Sequence, residues 1–97
     1  MKRIRFLSPA EIEMFDAAAY YEARVPKLGN DFISIIEIAV LDLSDDPEKW
    51  PIIDKGIRRR ILPRFPYSIL YKIDSDEIII VAIMHQKRRP NYWINRL

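Results

Sequence analysis

Apolar and polar positions along this chain change period twice, dividing it into a strand, a pair of helices and a sheet. In "KRIRFL" (2–7) Ile4 and Phe6 alternate with basic residues, the twofold period of a half-buried strand. At "SPAE" (8–11) the pattern becomes helical: Ser8 is suited to cap, Pro9 to the first helical position, and Glu11 completes a capping box. The helix is predicted to run to about Arg24, with Ile12, Phe15 and Ala19 in one line and Met14, Ala18, Tyr21 and Val25 alongside, before Pro26 ends it. "KLGN" makes a tight connection, and a second helix is predicted from near Asp31. There Phe32, Ile35, Ile36, Ala39, Val40 and Leu43 keep the spacing of a wide buried stripe, and Pro47 stops it. So short a link between two amphipathic helices implies an antiparallel hairpin.

"DDPEKWPIIDKG" (45–56) reads as a loop anchored by Trp50, after which the period returns to two. "IRRRIL" (57–62) predicts a strand broken by "PRFP". In "YSILYKI" (67–73) Tyr67, Ile69, Tyr71 and Ile73 share one face, fit for core packing under the helices. "DSD" (74–76) is a hairpin turn without glycine, and "EIIIVAIMH" (77–85) is apolar on both faces, as a central strand covered on both sides would be. Pro90 cannot continue a ladder, so the sheet is expected to end near Arg89, with "NYWINRL" forming a last helical turn anchored by Trp93. The order β-α-α-β-β-β predicts one α+β domain over 1–97, with an N-terminal strand and a two-helix hairpin packed on a mostly antiparallel sheet.

Charge adds an asymmetry to this outline. Residues 1–54 carry six basic and eleven acidic side chains, a net −5, whereas residues 55–97 carry ten and three, a net +7. Acidic residues on the outer side of the hairpin account for the first half. The second presents a positive face suited to nucleic acid or an acidic polypeptide, against the plainer reading of solvated charge on ordinary strands. There is no cysteine, so disulfides and thiolate chemistry are excluded. The longest apolar run, "IIIVAIM" (78–84), is far too short to span a bilayer, and the N-terminus lacks the apolar stretch of a cleaved signal. A cytoplasmic protein is expected.

"RFPYSILYKID" and "IIIVAIMHQKRRPNYW", preceded by "AYYEARVPKLGNDF", closely resemble the ParE branch of the RelE/ParE family, small toxins of type II toxin–antitoxin modules. The resemblance covers nearly the whole chain in the right order. It implies the α+β fold read above and, as partner, a cognate antitoxin whose C-terminal segment folds onto the toxin, with oligomers formed together. ParE-like members poison DNA gyrase, whereas RelE-like members cut mRNA in the ribosomal A site. The Arg-Arg-Pro–Tyr-Trp tail here is of the ParE kind, which favours gyrase over RNA cleavage. A ribosome-dependent endoribonuclease and an inactive antitoxin-binding module stand as the alternatives.

RNA cleavage by 2′-hydroxyl attack needs a base, an acid and cations on the phosphate. His85, Tyr92 and the pair Arg88 and Arg89 could supply them, with Lys87 as a further cation. A histidine ending an apolar strand more often serves a backbone group. In an extended strand Arg58 and Arg60 share one face, opposite Ile57, Arg59 and Ile61. Planar guanidinium groups bind carboxylate or phosphate bidentately. Arg59 is equally suited to an ion pair with a helix carboxylate. Arg58, Arg60, Arg64, Lys87, Arg88 and Arg89 are therefore the candidates for binding target or antitoxin. One histidine, no cysteine and no close carboxylate cluster beyond the surface loop at Asp45, Asp46 and Glu48 make a metal improbable. No cofactor is implied.

Overall fold

The computed structural model describes residues 2–97. β1 (Arg3–Phe6) leads into α1 (Ser8–Arg24) and α2 (Leu28–Asp45). The sheet continues with β2 (Ile52–Asp54), β3 (Ile57–Ile61), β4 (Tyr67–Asp74) and β5 (Glu77–His85), and a single 3₁₀ turn at Ile94–Arg96 follows. The strands lie in the order β1-β5-β4-β3-β2, with β1 parallel to β5 and every other pair antiparallel. This is the expected α+β arrangement, with one more strand. β2 lies inside the segment read as a loop, and its short, solvent-exposed form left no alternation to detect.

The helices cover one face of the sheet. Phe32, Ile36, Ala39 and Leu43 of α2, and Ala10 and Ala17 of α1, pack on Ile69, Tyr71, Ile78, Ile80 and Ile83. The α2 stripe is the one its spacing predicts. On α1 only part of the predicted pattern holds: Met14, Ala18 and Tyr21 pack against the core, but Ile12 and Phe15 are more than half exposed, as is Val25, and the small Ala10 and Ala17 face the sheet. Alanines permit close approach of helix to strand, and Ile12 and Phe15 are left on the outside while Tyr21 packs on Phe32 and Phe65.

The opposite face is covered only in part. Trp93, 1% exposed, seals Ile57, Leu70, Ile79, Val81 and Ala82, with Leu7, Tyr92 and Ile94 around it. β5 is thus buried on both sides, as its composition requires. Its alternation slips once, because Leu70 pairs with Ala82 but Tyr71 with Ile80, leaving Val81 as the extra residue of a bulge. After the bulge Ile83 points back toward the helices.

Three element ends differ from their sequence signals. α1 begins at Ser8, and the cap is Leu7, without a side-chain bond. The Leu7 amide still donates to the Ile80 carbonyl (3.0 Å) and its carbonyl accepts from the Glu11 amide (3.1 Å), so strand passes into helix without room for a capping serine. α2 starts at Leu28, not near Asp31, because the Glu22 carboxylate accepts the amides of Lys27 (2.8 Å) and Gly29 (3.0 Å) and Lys27 takes φ 74°. The last strand spans 77–85 as its apolar run predicts, and the sheet stops there, short of Arg89. Gln86 makes one more bond, to the Pro66 carbonyl (2.8 Å), and the chain then turns, with the Arg88 amide donating to the His85 carbonyl (3.0 Å).

Candidate functional site

The end of β5 and the turn that follows bring the candidates at the C-terminal end together. Lys87, Arg88 and Arg89 are all exposed, and together with Tyr92 they line a shallow depression of about 280 Å³. The Arg88 guanidinium lies 4.1 Å from the Tyr92 ring centroid, a cation–π contact that gives one of the three cations a preferred place. Beside it an open cleft of about 320 Å³ runs between α1 and the ends of β4 and β5, lined among others by Asp16, Tyr20, Tyr67, His85 and Arg88.

His85 is half-buried. Its ring meets Tyr67 edge-on at 5.0 Å, and its Nδ1 accepts the Lys87 amide at 3.0 Å. A ring nitrogen that accepts a hydrogen bond carries no hydrogen, so the imidazole in this geometry has its hydrogen on Nε2. It serves a backbone group, as strand-ending histidines do, but an amide rather than a carbonyl.

Tyr92 is held more firmly. Its hydroxyl donates to Glu13 Oε2 at 2.6 Å. Burial first, and then that hydrogen bond, raise its pKa well above the usual phenol value. A phenol so placed is a poor proton donor to any leaving oxygen. Glu13 also takes both arms of Arg96, Nη1 to Oε1 at 2.8 Å and Nη2 to Oε2 at 3.0 Å, and the pairing raises the arginine pKa further.

The strand arginines are placed otherwise than the basic turn. Arg58 Nη1 donates to the carbonyls of Glu48 (3.0 Å) and Trp50 (2.6 Å). Arg60 pairs with Asp42 of α2 at 2.9 Å and lies 4.7 Å from the Trp50 ring centroid. Both therefore lie on the helix side and fasten the 46–51 loop and α2 to β3. Arg64 pairs with Asp31 at 3.5 Å but keeps 58% of its side chain exposed. Arg59, on the other face, makes no ion pair among the described residues and lines a cavity of about 300 Å³ with Ile61, Ser68, Met84 and Gln86. Three basic residues of the second half, Arg60, Arg64 and Arg96, pair with hairpin carboxylates, and three exposed cations stand together at 87–89.

Sequence reasoning did not single out Glu13 and Arg96. The signal was present: Glu13 stands three residues after Ala10 and four before Ala17, in phase with the face that turns inward. A carboxylate on that face requires a partner. A second feature missed is an apolar groove of about 350 Å³ between the two helices, reaching β1 at Phe6. It is lined by Phe6, Met14, Phe15, Ile33, Ile36 and Val40, with Glu37 at its edge, and Ile12, Ile38 and Leu41 are exposed on the same two helices. No three His, Asp or Glu residues among those described form a group able to hold a metal, and no described helix is long and apolar enough to cross a membrane.

A two-helix hairpin on one face of a five-stranded sheet, ending in a clasped basic turn, defines the architecture of a small α+β toxin of the ParE kind. The chain belongs to the family described as ParE toxin of type II toxin–antitoxin system, parDE, whose model matches residues 4–90. Among solved structures it is similar to one titled "Chromosomal ParDE TA system from P. aeruginosa", with a TM-score of 0.78 and 20% identity over 88% of this chain and 96% of that chain. At that identity the likeness concerns the fold. No curated protein matches the chain.

Proposed function

We propose that this chain is the toxin of a type II module, acting in the cytoplasm by binding a protein target, DNA gyrase, through the turn at Lys87, Arg88 and Arg89, and not by cutting RNA. The observation that carries this reading is the state of the would-be acid–base pair. Tyr92 gives its hydroxyl to Glu13, and His85 gives Nδ1 to the Lys87 amide, while Lys87, Arg88 and Arg89 are exposed, Arg88 stacked on the Tyr92 ring. An exposed cationic surface without a poised acid and base suits recognition of an acidic protein surface. Arg64, largely exposed, is a further candidate for binding, whereas Arg58 and Arg60 are engaged within the fold.

The cognate antitoxin is the second partner. An amphipathic segment laid along the apolar groove would bury Phe15, Ile33 and Val40, and its acidic residues would reach the basic half of the molecule. The solved neighbour's title names a toxin–antitoxin system, which fits such a partner. Calorimetry should show a negative heat-capacity change on binding, and its absence would count against an apolar docking mode.

The deciding experiment is a supercoiling assay with gyrase and the purified chain, run beside ribosomes carrying mRNA. Inhibited supercoiling with intact message is expected. Site-specific mRNA cleavage would overturn the reading in favour of the endoribonuclease. Normal growth on induced expression would leave an antitoxin-binding module without activity.

A further inference from the structure

β1 pairs with β5 only as far as Ile80, whereas β5 runs to His85. The chain has by then left the sheet to form α1, so the last part of β5 has no strand on that side. Glu13 and Arg96 take the strand's place. Glu13 Oε1 accepts the Ile83 amide at 3.1 Å, and Arg96 Nη1 donates to the Val81 carbonyl at 3.0 Å. Their side chains are 20% and 16% exposed, so the pair is largely withdrawn from water. The same carboxylate fixes the Tyr92 hydroxyl, and the Tyr92 ring carries Arg88.

We propose that Glu13 is a positioning residue for the basic turn: from α1 it holds Tyr92 and Arg96, and through the Tyr92 ring it fixes where Arg88 is presented. The inference rests on the reading of that turn as the inhibitory surface. Both carboxylate oxygens are doubly occupied, so no single partner can be lost without loosening the others. Trp93, next to Tyr92, is 1% exposed against the face of the sheet away from the helices, so loosening of Tyr92 should make it more accessible.

The test uses full-length variants under titrated induction in a bacterial host, with thermal melts and acrylamide quenching of Trp93 in a Trp50→Phe background. Glu13→Gln keeps the side chain's size and removes its charge. It should weaken growth inhibition about tenfold or more, as loss of a charge-assisted hydrogen bond would, and raise Trp93 quenching while the protein stays folded. Arg88→Lys keeps the charge but loses the planar stack. Combined with Glu13→Gln it should be no worse than the worse single variant, because both act on one placement. Additive losses would indicate a merely structural role and overturn the proposal. So would a folded, fully inhibitory Glu13→Gln beside a harmless Arg88→Ala/Arg89→Ala, which would leave the reading of the turn standing. A folded, fully inhibitory Arg88→Ala/Arg89→Ala would overturn that reading and the proposal with it. If Glu13→Gln does not fold, Tyr92→Phe, which removes only the hydroxyl, takes its place with the same expectations.

Discussion

Replacing Gly29 with alanine should destabilise this protein, although the same change inside most helices does the opposite. Gly29 is the second residue of α2, and alanine there would gain up to about 1 kcal/mol in helix propensity. Against this, a Cβ at position 29 would lie 2.5 Å from the Ala18 carbonyl oxygen and 2.9 Å from Glu22 Cβ. The nearest atom is backbone, so no rotamer change relieves it and the two helices must move apart. Overpacking of this kind costs about 1–3 kcal/mol. Displacing Glu22 also weakens the cap on the Lys27 and Gly29 amides, about 1 kcal/mol more. The clash and the cap together outweigh the propensity, leaving a net loss of roughly 1–3 kcal/mol, by the same magnitudes. For a domain of this size each kcal/mol moves Tm by about 4–8 °C, so the drop should be easily seen by circular dichroism, with a urea midpoint as a second measure. With Glu22 already alanine the cost should fall only by the cap's share, since alanine keeps the Cβ contact but has no carboxylate to displace. An unchanged or raised Tm for Gly29→Ala would refute the close helix approach described here.

Three further outcomes are expected. His85→Gln should keep growth inhibition and lose only about 0.5–1.5 kcal/mol of ring contact with Tyr67, whereas a nuclease using imidazole would slow by roughly 10²–10⁴-fold; a folded, harmless variant would favour the nuclease. Phe15→Asp, at a side chain 56% exposed, should change stability by only about 0.5 kcal/mol and leave growth inhibition intact while abolishing protection by the co-expressed antitoxin; full protection would exclude the hairpin groove as the docking site. Burial pushes the Tyr71 hydroxyl up from 10.0 to about 12, against the opposing pull of Arg58, and the fold therefore favours its neutral form. Its contribution is fully present below pH 10 and is lost as pH rises through about 12, because the unfolded chain releases that proton first. Urea midpoints across that window should fall less steeply in Tyr71→Phe, and an unchanged slope would contradict the assignment.

The sequence by itself determined the elements that bury an unambiguous stripe. Phe32, Ile36, Ala39 and Leu43 repeat on one helical face, and "EIIIVAIMH" has no polar side to expose, so both had to be core. The basic stretch before Pro90 was legible as lying at the end of the sheet, but where the strand turns, at His85 and not near Arg89, was not. What the period could not decide was the orientation of α1, whose apolar residues lie on two faces. Only contact with β5 turned Ala10 and Ala17 inward and left Ile12 and Phe15 outside. Nor could local pattern show that Arg58 and Arg60 would be taken up by Trp50 and Asp42, or that Glu13 would meet Arg96 across the fold. A charged group's role depends on which opposite charge or carbonyl lies within about 3 Å of it, and in this chain those partners are brought close by the packing of α1 and α2 on the sheet.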